Sequence, residues 1–108
     1  MPVPLLEENY FSFNLEAFDS LINDRTKLII LNSPSNPTGG VIPLKDLVHI
    51  AQAAEQHHIW IISDEIYSRL DYEQNGVPGI AALPGMLDRT IIMDGFSKTY
   101  AMTGWRLG

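Results

Sequence analysis

Lys27-Leu28-Ile29-Ile30-Leu31-Asn32, running into Ser33-Pro34-Ser35-Asn36-Pro37-Thr38-Gly39-Gly40, is the stretch on which the fold turns. Its first half is a continuous apolar run of strand length, without the alternation of a half-exposed strand. Its second half is loop chemistry throughout. Pro43 then opens a helix at a position where proline is tolerated. Leu44, Leu47, Val48, Ala51 and Ala54 follow helical spacing, with Lys45, Asp46, Gln52 and Glu55 on the other side. The helix is expected to end near His57-His58, ahead of a second buried strand from Ile59 to Ser63. Strand, helix and strand in this order imply a right-handed crossover in a parallel sheet.

Outward from this unit the pattern continues. Upstream, Asn14 caps a short helix over Leu15 to Ile22, whose Leu15, Phe18, Leu21 and Ile22 share a face. Residues 1–13 show no clear period. Downstream, an irregular stretch from Tyr72 to Arg89, rich in Gly and Pro, leads to a third apolar run, Thr90-Ile91-Ile92-Met93. The fold class is α/β, a partial, mostly parallel sheet with helices on both faces.

Composition narrows the function classes. A chain of 108 residues makes one small domain. Its net charge of -6 disfavours nucleic acid and anionic membrane, and its seven Lys and Arg residues are scattered from Arg25 to Arg106. There is no cysteine, so disulfides, thiol catalysis and cysteine metal sites are excluded. Met1-Pro2-Val3-Pro4 lacks the basic start of a signal peptide, and the apolar runs are far too short to span a membrane. A cytoplasmic protein is expected.

In an open α/β sheet, ligands gather at the carboxyl ends of the strands. Each apolar run here ends in polar residues: Asn36-Pro37-Thr38-Gly39, Ser63-Asp64-Glu65-Ile66-Tyr67 and Asp94-Gly95-Phe96-Ser97-Lys98. A parallel sheet brings the three clusters to one edge. Lys98 is an amine that, once desolvated, becomes a nucleophile able to form a Schiff base. Arg106, eight residues on, offers a rigid fork for a phosphate dianion, and Ser97 a hydroxyl. Asp64 can pair with a protonated ring nitrogen, while Tyr67 and Asn36 can hydrogen-bond a phenolate oxygen. Together these groups describe a site for pyridoxal 5'-phosphate.

With Asn36-Pro37-Thr38-Gly39, Ser63-Asp64-Glu65-Ile66-Tyr67, Ser97-Lys98 and Met102-Thr103-Gly104-Trp105-Arg106-Leu107-Gly108 in this order and spacing, the chain resembles the class I/II aminotransferases. The similarity runs from about Phe13 to Gly108. It implies that Lys98 holds the cofactor covalently, Asp64 binds the pyridinium nitrogen, Tyr67 and Asn36 contact the phenolate oxygen, and Ser97 and Arg106 hold the phosphate. It implies a cis peptide at Asn36-Pro37, amino acid and 2-oxo acid substrates, and a homodimeric parent enzyme. Many relatives have serine at the position of Gly95. The same residues also serve β-lyases and decarboxylases, and a regulatory module that senses the cofactor would share them too.

Taken singly, each motif has an ordinary reading. Lys98 and Arg106 could be solvated surface cations, Asp64 a turn cap and Tyr67 a half-buried aromatic. A plain flavodoxin-like binding module is the corresponding whole-chain reading. Other residues take the ordinary reading outright: His49 as a solvated group on the polar helix face, His57 and His58 at a helix C-terminus, Trp105 as core packing. Members of the resembling family are several times longer, so the chain is expected to be a segment of the cofactor-binding domain. The 108-residue polypeptide should show no turnover with an amino acid, a 2-oxo acid and added cofactor; robust transamination by it would contradict the segment reading.

Overall fold

The computed structural model describes residues 1–72 and 75–108, and the elements follow the expected order. Two short strands, β1 (Leu5–Leu6) and β2 (Ser12–Phe13), pair antiparallel. Helix α1 (Leu15–Leu21) comes next. Its cap is Asn14, whose Oδ1 accepts from the backbone N–H groups of Glu16 and Ala17 at 2.8 and 3.1 Å, satisfying two donors that the first turn leaves orphaned. Then come β3 (Leu28–Asn32), α2 (Leu44–Gln56), β4 (Trp60–Asp64), β5 (Thr90–Met93) and α3 (Phe96–Thr99). Pro43 stands at the N-cap of α2, one position before the first helical residue.

The three longer strands form one sheet in the order β3-β4-β5, all parallel. Their register decides which side chains share a face. Ile29 pairs with Ile61, Leu31 with Ser63, and Asn32 with Asp64, which in turn lies opposite Met93. Because side chains alternate along a strand, Ile29, Leu31, Ile61 and Ser63 share one face. That face meets the core, in which Phe18 of α1 and Leu47, Ile50, Ala51 and Ala54 of α2 are buried. On the opposite face Leu28, Ile30 and Trp60 are exposed, Ile30 at 67%. The described residues thus supply helical cover to one side of the sheet.

The buried stripe of α2 differs from the expected one. Leu44 and Val48 are exposed, while Ile50 is fully buried and Asp46, expected on the outer side, is only 4% exposed. The Ser12 hydroxyl on β2 donates to Asp46 Oδ2 at 3.2 Å. The carboxylate also lies in the first turn of α2, where the helix dipole favours negative charge. His49 is likewise not simply solvated. Its Nε2 lies 2.7 Å from Asp19 Oδ1 on α1, and its ring stands edge-on to Phe18 with centroids 6.0 Å apart. Both partners of that pair are well exposed, so it contributes about 0.2–1 kcal/mol.

The irregular stretch before β5 adds to the core. Ile80 opens a 3-10 turn (Ile80–Ala82), Met86 precedes another (Leu87–Arg89), and both side chains are buried. Trp105, expected in the core, is 72% exposed. No described helix is long and apolar enough to cross a membrane.

Because Ile50 is fully enclosed whereas Asn14 acts through a helix cap, truncating them should have different costs. In urea unfolding of the full-length protein, Ile50→Ala should cost about 2–5 kcal/mol and Asn14→Ala about 1 kcal/mol. Equal and small losses would contradict the packing described.

Candidate active site at the carboxyl edge of the sheet

All three parallel strands end at the same edge, and the polar clusters follow them directly. At the end of β4, Asp64 is half-buried and points to the open face with Asn32. Its Oδ1 accepts from the Ile66 N–H at 3.3 Å. The Glu65 N–H donates to the Met93 carbonyl at 2.8 Å, continuing the β4–β5 ladder by one bond, and the buried Ser63 hydroxyl donates to Glu65 Oε1 at 2.8 Å. The turn that carries Asp64 and Tyr67 is therefore pinned on both sides of the acid.

The loop after β3 brings in Asn36. The peptide bonds at Asn36-Pro37 and Ser33-Pro34 are both cis, the first as expected. The side-chain amide of Asn36 donates to Tyr67 Oη at 3.1 Å. A phenol oxygen that accepts there keeps its own O–H for another acceptor, and the amide keeps a second N–H. Lys98, in the single turn of α3, carries its ammonium 5.4 Å from the centroid of the Tyr67 ring, within the range of a cation–π contact. Asn36, Tyr67 and Lys98, drawn from the loops after three different strands, are thus in mutual contact through Tyr67. Lys98 itself is exposed, between the half-buried Ser97 and Thr99.

Ser97 is half-buried beside Lys98 in α3. Arg106 is exposed, and its Nη1 donates to the Thr103 carbonyl at 2.8 Å. The residues after it fold back on the start of α3. A Cβ built on Gly95 would meet Ile66 Cδ1 at 3.3 Å and Gly108 Cα at 3.4 Å. The structure thus brings together Asn36, Tyr67 and Lys98, sets Asp64 at the end of β4, and keeps the Arg106 guanidinium on the Thr103 carbonyl.

One residue at this edge was not singled out from sequence. Asn32, the last residue of β3, accepts the Asn36 N–H on Oδ1 at 2.9 Å and donates from Nδ2 to the Asp64 carbonyl at 3.4 Å. Its signal was faint, a polar residue closing an apolar run. A cleft of about 820 Å³ along the free edge of β3 includes Asn32 and Ser35 but none of the six expected site residues.

The family model for aminotransferase class I and II matches residues 1–108. The chain belongs to that family. It is 49% identical over 106 residues to an aspartate aminotransferase of Pyrococcus abyssi, covering 98% of this chain and 27% of that protein. It is 47% identical over 106 residues to aromatic-amino-acid aminotransferase 2 of Thermococcus litoralis, with the same coverage. An aromatic aminotransferase structure from Pyrococcus horikoshii superposes with a TM-score of 0.93 at 46% identity, over 100% of this chain and 29% of that one. The chain spans about a quarter of the length of these class I and II aminotransferases.

Gly95 is extended (φ -177°), so space rather than backbone conformation decides what fits there. The nearest obstacle is the flexible end of Ile66. Gly95→Ala should be accommodated by a small shift of that side chain, whereas Gly95→Val should cost about 1–3 kcal/mol through overpacking. Urea unfolding of the full-length variants would check this, and equal costs for both would contradict it.

Proposed function

We propose that the full-length protein is a pyridoxal-5'-phosphate-dependent aminotransferase that moves an amino group from an amino acid to a 2-oxo acid, acting as a homodimer in the cytoplasm. The observation that carries this reading is the contact set of Asn36, Tyr67 and Lys98 at the strand edge where β4 ends in Asp64, in a chain of this family. Relatives named for aspartate and for aromatic amino acids share the segment at similar identity. It therefore carries the common chemistry and not the choice of amino donor.

The donor set fits the cofactor group by group. An amine suits its aldehyde, a carboxylate its ring nitrogen, a phenol and an amide its phenolate oxygen, and a hydroxyl with a guanidinium its phosphate. When bound, the cofactor supplies an electron sink for negative charge developing at the substrate α-carbon. Every other task falls to side chains. Lys98 would hold the aldehyde and, as a free amine, would serve as the general base and then acid that moves the substrate α-proton. Asp64 keeps the ring nitrogen protonated, so the ring stays cationic. Tyr67 donates its O–H to the phenolate oxygen while Asn36 holds that hydroxyl in place and offers a second N–H. Ser97 and Arg106 hold the phosphate dianion, for which the guanidinium has to leave the Thr103 carbonyl.

Lys98 is exposed, and its ammonium meets only the face of the half-buried Tyr67 ring in the contacts described above, so its removal should spare the fold. In the full-length protein Lys98→Ala should lower transamination by about 10³-fold or more, with an unchanged urea midpoint. A variant that keeps over a tenth of the activity would contradict the assigned role.

A further inference from the structure

We propose that Asn32 is a positioning residue of the site, its side-chain amide tying the Asn36 backbone to the carboxyl end of β4 and so fixing where the Asn36 and Asp64 side chains stand. This role rests on reading the site as one for pyridoxal phosphate and goes beyond the six residues assigned to it.

The loop after β3 has few backbone handles. Pro34 and Pro37 have no N–H. Of the donors left between residues 33 and 36, Ser33 N–H goes to the Asp64 carbonyl at 3.2 Å and Ser35 N–H to the Gly40 carbonyl at 2.9 Å. The third, Asn36 N–H, is the last before Pro37, and it goes to Asn32 Oδ1 at 2.9 Å. Among the described residues no backbone acceptor takes it. The side chain of the same Asn36 then reaches Tyr67 Oη at 3.1 Å. Asn32 thus holds the base of the residue whose tip holds the phenol.

The other end of the Asn32 amide faces β4. Nδ2 donates to the Asp64 carbonyl at 3.4 Å, the longer of its two bonds. That carbonyl also takes the Ser33 N–H, so β3 and β4 are joined twice at the residue that carries the acid. Register makes this possible, because Asn32 and Asp64 are direct partners on one face of the sheet. Only an amide serves both ends. An aspartate would keep the acceptor, lose the donor and set a second carboxylate across from Asp64, where like charges repel. An apolar residue would serve neither.

The test uses the full-length enzyme with pyridoxal phosphate as the probe. Two readouts are taken: the dissociation constant for pyridoxal phosphate added to apoenzyme, and the pH midpoint of the visible absorption band of the reconstituted protein. Asn32→Ala should weaken binding roughly three- to tenfold, as expected for one lost hydrogen bond. It should also move the midpoint in the same direction as Asn36→Ala and at least half as far. The double variant should shift less than the sum of the two, because both act through Asn36. Asn32→Ser is read alongside in case the alanine variant fails to fold. A shorter hydroxyl weakens both contacts without emptying the position, so a smaller shift in the same direction is expected. A midpoint and affinity unchanged from the parent in Asn32→Ser, or additive shifts in the double variant, would overturn the positioning role while leaving the cofactor reading intact. If the parent enzyme itself binds no pyridoxal phosphate, the functional reading fails and this inference with it.

Discussion

The parallel register of β3, β4 and β5 is the constraint from which the site derives. With Asn32, Asp64 and Met93 side by side, the chain must leave all three strands at one edge. Residues more than sixty positions apart in sequence, such as Asn36 and Lys98, then meet on the ring of Tyr67. A slip of one residue in the pairing of β4 with β3 would turn Asp64 to the helix-covered face, beside Leu31. The register is held by burial. Ile61 is fully enclosed and Leu31 nearly so under α1 and α2, and a slip of β4 would expose Ile61 and bring the Asp64 carboxylate under the helices. Hydrophobic burial on one side of the sheet therefore dictates the placement of polar chemistry on the other.

A second layer of bonds refines that placement. The ladder does not stop at the last paired residues, since Ser33 and Glu65 each add one backbone bond beyond the strand ends. Side chains then take over where prolines and turns deprive the backbone of partners, Asn32 on one side of Asp64 and Ser63 with Glu65 on the other. Two of the groups in the proposed site are more open than the groups that hold the turns. Asn36 and Lys98 are exposed, whereas Ser63 is buried and Asn32 and Glu65 are half-buried.

Much of this was legible in the sequence because it depends on local signals. The cap at Asn14, the strand runs at 28–32 and 90–93, the helix after Pro43 and the polar strand ends all come from spacing and composition. The illegible part depends on tertiary neighbours. Asp46 reads as a solvent-facing residue until Ser12 of β2 is packed over it. His49 reads the same way until α1 brings Asp19 and Phe18 alongside. Ile80 and Met86 lie at isolated single turns, too short to display a period, yet both are core residues. Trp105 departs in the opposite direction, an apolar ring read as buried where the described residues leave it exposed. Asn32 escaped notice because a helper acting through another residue's backbone leaves no motif of its own.

Of the three lysines in this chain, Lys27, Lys45 and Lys98, the last is the one proposed to bond the aldehyde of pyridoxal phosphate. Borohydride reduction of the full-length protein with pyridoxal phosphate bound, followed by peptide mass mapping, probes this directly. A single stable pyridoxyl adduct on Lys98 is expected. An adduct on Lys27 or Lys45, or none on this segment at all, would refute the assignment.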